Sequence, residues 1–194
     1  MISNVKVFGL EDSIKASKYP MSVDINKCTA EITPTVNALG KCKTGTGHDQ
    51  FLTGIIVQFD LTFTVKAWTE AERYHFFDFV SSQSTMHRIT KFDLDNAYIE
   101  YVDPRVVAIM KEKVDEYNRL KQEGDTDDMK RRYLEILYTN PCGFKLTARM
   151  TTNYRQLKTI YQQRLHHRLP EWRTFCGWIR ELPYSDLIIG GDDQ

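Results

Sequence analysis

Residues Val57, Phe59, Leu61, Phe63 and Val65 alternate with Gln58, Asp60, Thr62 and Thr64. Successive side chains of a strand point to opposite faces, so this run predicts a strand buried on one side. Phe144, Leu146, Ala148 and Met150 repeat the period and predict a second strand, which runs into a helix beginning near Asn153. Val5 to Leu10 alternates more weakly and reads as a first strand. The short polar helix or turn after it must end near Tyr19-Pro20, because proline disfavours helical backbone in the residue before it.

Helical spacing governs other stretches. Val106, Val107, Met110, Val114, Tyr117 and Leu120 form an apolar stripe that opens at Pro104 and stops at Gly124. Another helix is expected from Thr126 to Tyr138, closing at Asn140-Pro141, and a last one from near Pro170. Thr69-Glu70-Ala71-Glu72 has the form of a capping box, and Ala71, Tyr74, Phe77 and Val80 continue at helical steps. A helix to about Ser82 follows, ending just before Gln83 and Met86-His87-Arg88; its aromatic residues suit a core or a subunit interface. Between Val23 and Gly47, Pro34 and Gly40, Gly45 and Gly47 leave room for one short helix, from Pro34 to Leu39. Two-residue and helical periods interleave without a repeat. This pattern predicts an α+β fold, an antiparallel sheet packed with helices, in a single domain over residues 1–194. Residues 1–46 are its least patterned part, and the acidic end, 190–194, is expected to fray.

Composition narrows the function classes. Lys plus Arg and Asp plus Glu are equal at 26 each, so no overall field draws the chain to nucleic acid or an acidic membrane. Any anion site must be local. No stretch approaches the roughly 18 apolar residues of a membrane helix, and the start lacks a secretory pattern, so a cytoplasmic location is expected. Cys28, Cys42, Cys142 and Cys176 are scattered, without metal-ligand spacing, which predicts free thiols and no metal site. Gly45-Thr46-Gly47 lacks the spacing of a phosphate-binding loop, and no Gly-x-Ser-x-Gly or Cys-His catalytic pattern occurs.

The helix after Asn153 carries the sharpest chemical signal. Leu157, Tyr161, Arg164 and Arg168 fall at three- and four-residue steps, placing two arginines on one apolar stripe. A buried guanidinium needs a partner, so Arg164 is expected to meet a carboxylate, a carbonyl or a ligand anion. An internal acidic partner and a ligand both satisfy that need. His87-Arg88 can likewise complement a helix C-terminus or bind a ligand. His48 sits in a glycine-rich approach to the best strand, where backbone amides can come close to a phosphate. His166 and His167 are adjacent on a helix, diverge, and are expected to be solvated.

Three segments taken together resemble the flavin-dependent thymidylate synthases. Gly47-His48-Asp49 leads into Ile55 to Phe59, Gln83 precedes Met86-His87-Arg88-Ile89, and Asn153-x-Arg155-x-Leu157 precedes Arg164. Their order and spacing are similar to that family's from Gly47 to about Ile179. The resemblance implies the family's fold and a flavin site that includes His87, Arg88, Asn153 and Arg155, bordered by His48 and Gln50. It also implies a pyrimidine-nucleotide site with Gln83 and with Arg164 as the polarising catalytic group. Arg168, further along the same stripe, is a second nucleotide candidate. The cofactor would be FAD, with NADPH and methylenetetrahydrofolate as co-substrates, dUMP or a related nucleotide as acceptor, and a homotetramer as the assembly. No enzyme cysteine attacks the pyrimidine in that family, in keeping with a chain that shows no activated thiol. A compact, divergent chain of this kind would suit a phage, acting in its host's cytoplasm.

The sequence also departs from the family. Met86 replaces the first Arg of Arg-His-Arg, and Leu137 falls where another nucleotide-binding arginine belongs. Thr53-Gly54 replace a Glu-His pair, and Lys91, Asp93-Leu94 and Asn96-Ala97-Tyr98 replace the phosphate-binding run, whose Asp93 and Asp95 would repel phosphate unless Lys91 or Arg88 compensates. Two readings follow: an enzyme transferring a one-carbon unit, with reduction, to C5 of a pyrimidine nucleotide, or a non-catalytic binding protein that kept the fold.

Overall fold

Strand β1 (Ile2–Phe8) pairs antiparallel with β2 (Ile56–Thr64), Phe8 opposite Ile56 and Ile2 opposite Leu61. In the computed structural model, which describes residues 1–124 and 126–190, these join β3 (Phe77–Ser82) and β4 (Lys145–Asn153) in a four-stranded sheet of order β1-β2-β4-β3. The predicted α+β class, an antiparallel sheet with packed helices, is what the chain adopts. The expected fraying falls on 191–194, outside the described residues. Among the described residues no helix is long and apolar enough to cross a membrane.

The chain divides into two compact units. The first takes Met1–Leu61, Ala71–Val80 and the described residues from Arg149 onward. It holds helices α1 (Leu10–Ala16) and α2 (Pro34–Lys41), and later α7 (Tyr154–Arg164), α8 (Pro170–Ile179) and α9 (Asp186–Ile189). Helix α3 (Val65–Ala71) reaches this unit only at its last residue. Alternation in β2 buries Val57, Phe59 and Leu61 completely. Phe59 meets Phe175 and Trp178 at centroid separations of 5.8 and 4.6 Å, and Phe77 meets Phe175 at 5.7 Å. Each such buried ring contributes about 2–3 kcal/mol through area removed from water. β1 carries an irregularity between Ser3 and Lys6, where Asn4 adopts φ 51°. Arg149 Nη1 donates to the Asn4 carbonyl at 2.8 Å and to Asp60 Oδ1 at 3.2 Å, which holds the kinked strand in place.

The second unit is Thr62–Glu70 with Ser81–Ala148. It contains most of α3, α4 (Thr85–Arg88), a 3-10 turn over Ile89–Lys91, and the long helices α5 (Pro104–Glu123) and α6 (Thr126–Thr139). Its core gathers Ile89, Leu94, Met110, Val114, Ile136 and Phe144. α5 and α6 form a hairpin. The predicted start and stop of α5 hold: Asp103 Oδ1 accepts from Arg105 N at 2.9 Å, and Gly124 closes the helix at φ 78°. Arg132 bridges the hairpin, its Nη2 donating to Glu116 Oε1 at 2.7 Å and its Nη1 to Glu135. Tyr117 and Tyr133 pack across it at 5.3 Å.

One predicted helix is absent. The stretch read as helical from Thr69 to Ser82 is the end of α3 followed by strand β3. Thr69 is no cap: its hydroxyl donates to Lys66 O at 2.8 Å inside α3, and Thr64 Oγ1 accepts from Ala67 N at 3.2 Å one turn earlier. Phe76 then takes φ 60°, a left-handed conformation through which no right-handed helix continues. Its carbonyl accepts from Thr152 Oγ1 at 2.6 Å.

Candidate functional site

In the first unit, α7 organises the polar residues. Asn153 is its N-cap, with Oδ1 accepting from Gln156 N at 2.9 Å. Arg155 Nε donates to Asp49 Oδ1 at 3.0 Å, and its Nη1 to Gln50 Oε1 at 2.9 Å. Asp49 is fully buried, and its other oxygen accepts from Lys158 Nζ at 2.9 Å. Lys158, 1% exposed, also donates to Gly40 O at 2.8 Å and to Cys42 O. One carboxylate thus anchors two cations, and the lysine ties α7 to the chain just before His48. His48 itself is exposed, beyond Gly45 and Gly47 at φ 94° and 82°. Arg155 thus meets Gln50, while Asn153 caps the same helix, and both Asn153 and Arg155 serve the fold directly.

Arg164 ends α7 in an aromatic setting. Its Nε donates to Tyr74 Oη at 2.7 Å, and its guanidinium lies 4.8 Å from the Trp172 ring centre and 5.5 Å from that of Tyr74. Such cation-ring contacts contribute about 0.5–2 kcal/mol and fix the plane of the guanidinium. His167 Nε2 stands 2.8 Å from Arg164 Nη1, so this histidine packs on the arginine and is not the simply solvated side chain its position predicts. Arg168 also differs from expectation. α7 stops at Arg164, and the chain turns to meet Pro170, so Arg168 leaves the stripe and is exposed.

In the second unit, His87 and Arg88 line a cavity of about 600 Å3. Arg88, Lys91, Lys121 and Lys130 give it four cations, Tyr117 and Tyr133 give it rings, and no carboxylate among the described residues lines it. Tyr133 Oη donates to Met86 O at 2.8 Å, and burial beside Tyr117 pushes its phenol upward, so it stays neutral. A smaller cavity of about 390 Å3 takes Gln83, Arg88, Lys91 and Asp93. Gln83 binds Thr147 through both its N–H and its side-chain oxygen, each at 2.9 Å, and so lengthens the pairing of β3. Asp93 is engaged by Asn96 Nδ2 at 2.7 Å and Asp95 N at 3.1 Å, while Asp95 pairs with Lys111. The hydrogen bond from Asn96 holds the Asp93 carboxyl below its ordinary range.

Sequence reasoning missed Lys158 and the hairpin residues. Lys158 lies within the spacing Tyr154, Leu157, Lys158, Tyr161, a detectable signal because a lysine inside an apolar stripe needs a buried acceptor. Tyr117, Lys121, Lys130 and Tyr133 meet only because α6 folds back on α5. Among the described residues, no group of three or more His, Cys, Asp or Glu is arranged to hold a metal ion.

The fold these elements build is that of the flavin-dependent thymidylate synthases. The ThyX enzyme of Helicobacter pylori complexed with FAD and dUMP superposes with a TM-score of 0.70 and 13% identity, covering 98% of each chain. A second structure of that enzyme with FAD and dUMP gives the same score and identity over 97% of this chain and 98% of the other. No family model and no curated protein sequence matches the chain. The likeness is therefore one of architecture.

Proposed function

We propose that the protein is an enzyme of the flavin-dependent thymidylate synthase type, which binds FAD and places a one-carbon unit, with reduction, on C5 of a pyrimidine nucleotide such as dUMP. The observation that carries this reading is the cavity of the second unit. His87 and Arg88, the retained half of the middle motif, line a space with two aromatic rings and, among the described residues, only cationic charge. That donor set fits a phosphorylated flavin. Its volume lies within the usual range of small-molecule sites. FAD, when bound, would supply the hydride taken from NADPH, and methylenetetrahydrofolate the carbon.

The chain's own part is orientation and polarisation. Arg88 and Lys91 add to the positive field that draws the cofactor, and Tyr117 and Tyr133 offer ring faces. Arg164, with its plane set by Tyr74 and Trp172, polarises a pyrimidine carbonyl. Cys176 is a poor nucleophile, since burial pushes its thiol up to about 11. Exposed Phe76, Phe79 and Val80 offer apolar surface to another subunit of a homotetramer, which light scattering would measure.

A second reading, a binding protein without the chemistry, is favoured by Leu137 and Asn153. Leu137 packs against the core where the family places an arginine, and Asn153 is engaged in capping α7. The visible spectrum with and without added FAD separates the two. Bound flavin that NADPH reduces under anaerobic conditions, and that dUMP with methylenetetrahydrofolate reoxidises, supports the enzyme; no flavin binding under any condition rules it out. An Arg164→Ala variant should keep flavin and lose nucleotide binding.

A further inference from the structure

We propose that the α5–α6 hairpin supplies a phosphate grip, Lys121 and Lys130 holding the phosphate of a ligand whose aromatic ring lies against Tyr117 and Tyr133. The ring half of this assignment rests on the function proposed above. The phosphate half rests on the cavity itself.

Four cationic side chains face one space of about 600 Å3, and among the described residues no carboxylate joins them in lining it. The chain as a whole is balanced at 26 positive and 26 negative residues, so this is a local excess and not a share of a general positive charge. Like charges around a common cavity repel, and an anion with two negative charges relieves that repulsion. The cations come from two sides. Arg88 and Lys91 lie at the end of α4 and in the 3-10 turn after it, whereas Lys121 belongs to the last turn of α5 and Lys130 to the start of α6.

The charged groups nearby direct the anion towards the hairpin. The smaller cavity, which shares Arg88 and Lys91, also has Asp93 in its wall. On the hairpin side Lys130 Nζ lies 3.6 Å from Asp127 Oδ1, in a pair whose lysine is 73% and whose aspartate is 96% exposed. An exposed pair of this kind contributes little and exchanges readily for a doubly charged phosphate. Tyr133, fixed by its bond to Met86 O, and Tyr117 provide the apolar flank, with Met129 and Leu134 beside them. A lost phosphate motif between Lys91 and Tyr98 is thereby replaced by charge from another part of the chain.

The test uses the full chain labelled with 13C at the methionine methyls. Met129 lines the cavity and Met150 lies in the other unit, so Met129 reports the site and Met150 serves as control. FAD, dUMP, inorganic pyrophosphate, riboflavin and deoxyuridine are titrated into the wild type and into Lys121→Met, Lys130→Met and the double variant, each first shown by circular dichroism to be folded. We expect pyrophosphate and at least one of FAD and dUMP to shift Met129. Each single variant should weaken the phosphorylated ligand about three- to tenfold, and the double variant more than tenfold. Riboflavin or deoxyuridine affinity should not change. The stronger of the FAD and dUMP responses identifies whether a flavin diphosphate or a nucleotide monophosphate is held.

FAD binding, seen in the visible spectrum, with a silent Met129 and unchanged affinity in the double variant would overturn the hairpin assignment and leave the flavin function standing. Absent FAD binding with a Met129 response to pyrophosphate or dUMP would do the reverse. No response to any ligand would overturn both.

Discussion

Replacing Lys158 with methionine removes the buried cation that joins α7 to the chain around Gly40 and Cys42. The side chain is 1% exposed, and its three donors meet Asp49 Oδ2, Gly40 O and Cys42 O. Methionine matches the stem but leaves two carbonyls short of a donor. Asp49, fully buried, keeps Arg155 Nε at 3.0 Å as its remaining charge partner. Breaking a buried pair from one side costs about 3–5 kcal/mol, and the retained Arg155 sets the expectation at the lower end, about 3 kcal/mol. For a chain of this length about 2–4 °C is lost per kcal/mol, so the thermal midpoint should fall by about 6–12 °C. Asp49→Asn should cost a similar amount. The Asp49→Asn/Lys158→Met double variant should cost less than the sum by more than about 1 kcal/mol, because each single change already breaks the same pair. Thermal and urea unfolding followed by tryptophan emission, with Trp172 and Trp178 in this unit, measure all three. Faster amide exchange across residues 43–47 should accompany the loss. A Lys158→Met protein within about 1 kcal/mol of wild type, or an additive double variant, would refute the reasoning.

Asn153→Ala should destabilise by about 1 kcal/mol through loss of the α7 cap, while Asn153→Asp, which can still accept from Gln156 N, should stay near wild type in the same unfolding assay. Tyr98 is raised from 10.0 to about 12 by burial, so its neutral form is favoured in the fold. That contribution is complete below pH 10 and fades as pH climbs towards 12; the urea midpoint of wild type should drop relative to Tyr98→Phe over that window, and a constant difference would contradict it. Iodoacetamide at pH 8 should label exposed Cys142 in the native protein and buried Cys176 only in denaturant, as peptide mass spectrometry would show.

The parts of the fold legible in the sequence are those with local causes. β2 and β4 follow from strict alternation, and α5 from Pro104 at its start and Gly124 at its end. The segment from Thr69 to Ser82 misled because Phe77 and Val80 satisfy helical spacing as well as a strand with one buried end, and only the conformation of Phe76 decides. Arg168 left the arginine stripe because a helix end is set by the chain beyond it, here the approach to Pro170. Lys158 is legible only in part, since its place in the apolar stripe implies a buried acceptor, while the acceptors themselves, two of them carbonyls more than a hundred residues earlier, come from the fold. The cavity lysines were illegible for a similar reason: Lys121 and Lys130 share a wall only once the hairpin closes.

Arg132 gives that hairpin a further property. By clasping Glu116 on one helix and Glu135 on its own, it works as the screw of a calliper and sets the gap between α5 and α6 near the paired tyrosines. Tyr117 and Tyr133 are already closed on each other at 5.3 Å, so the jaws hold no ring between them, and slackening the clasp should part the tyrosines before it unfolds the chain.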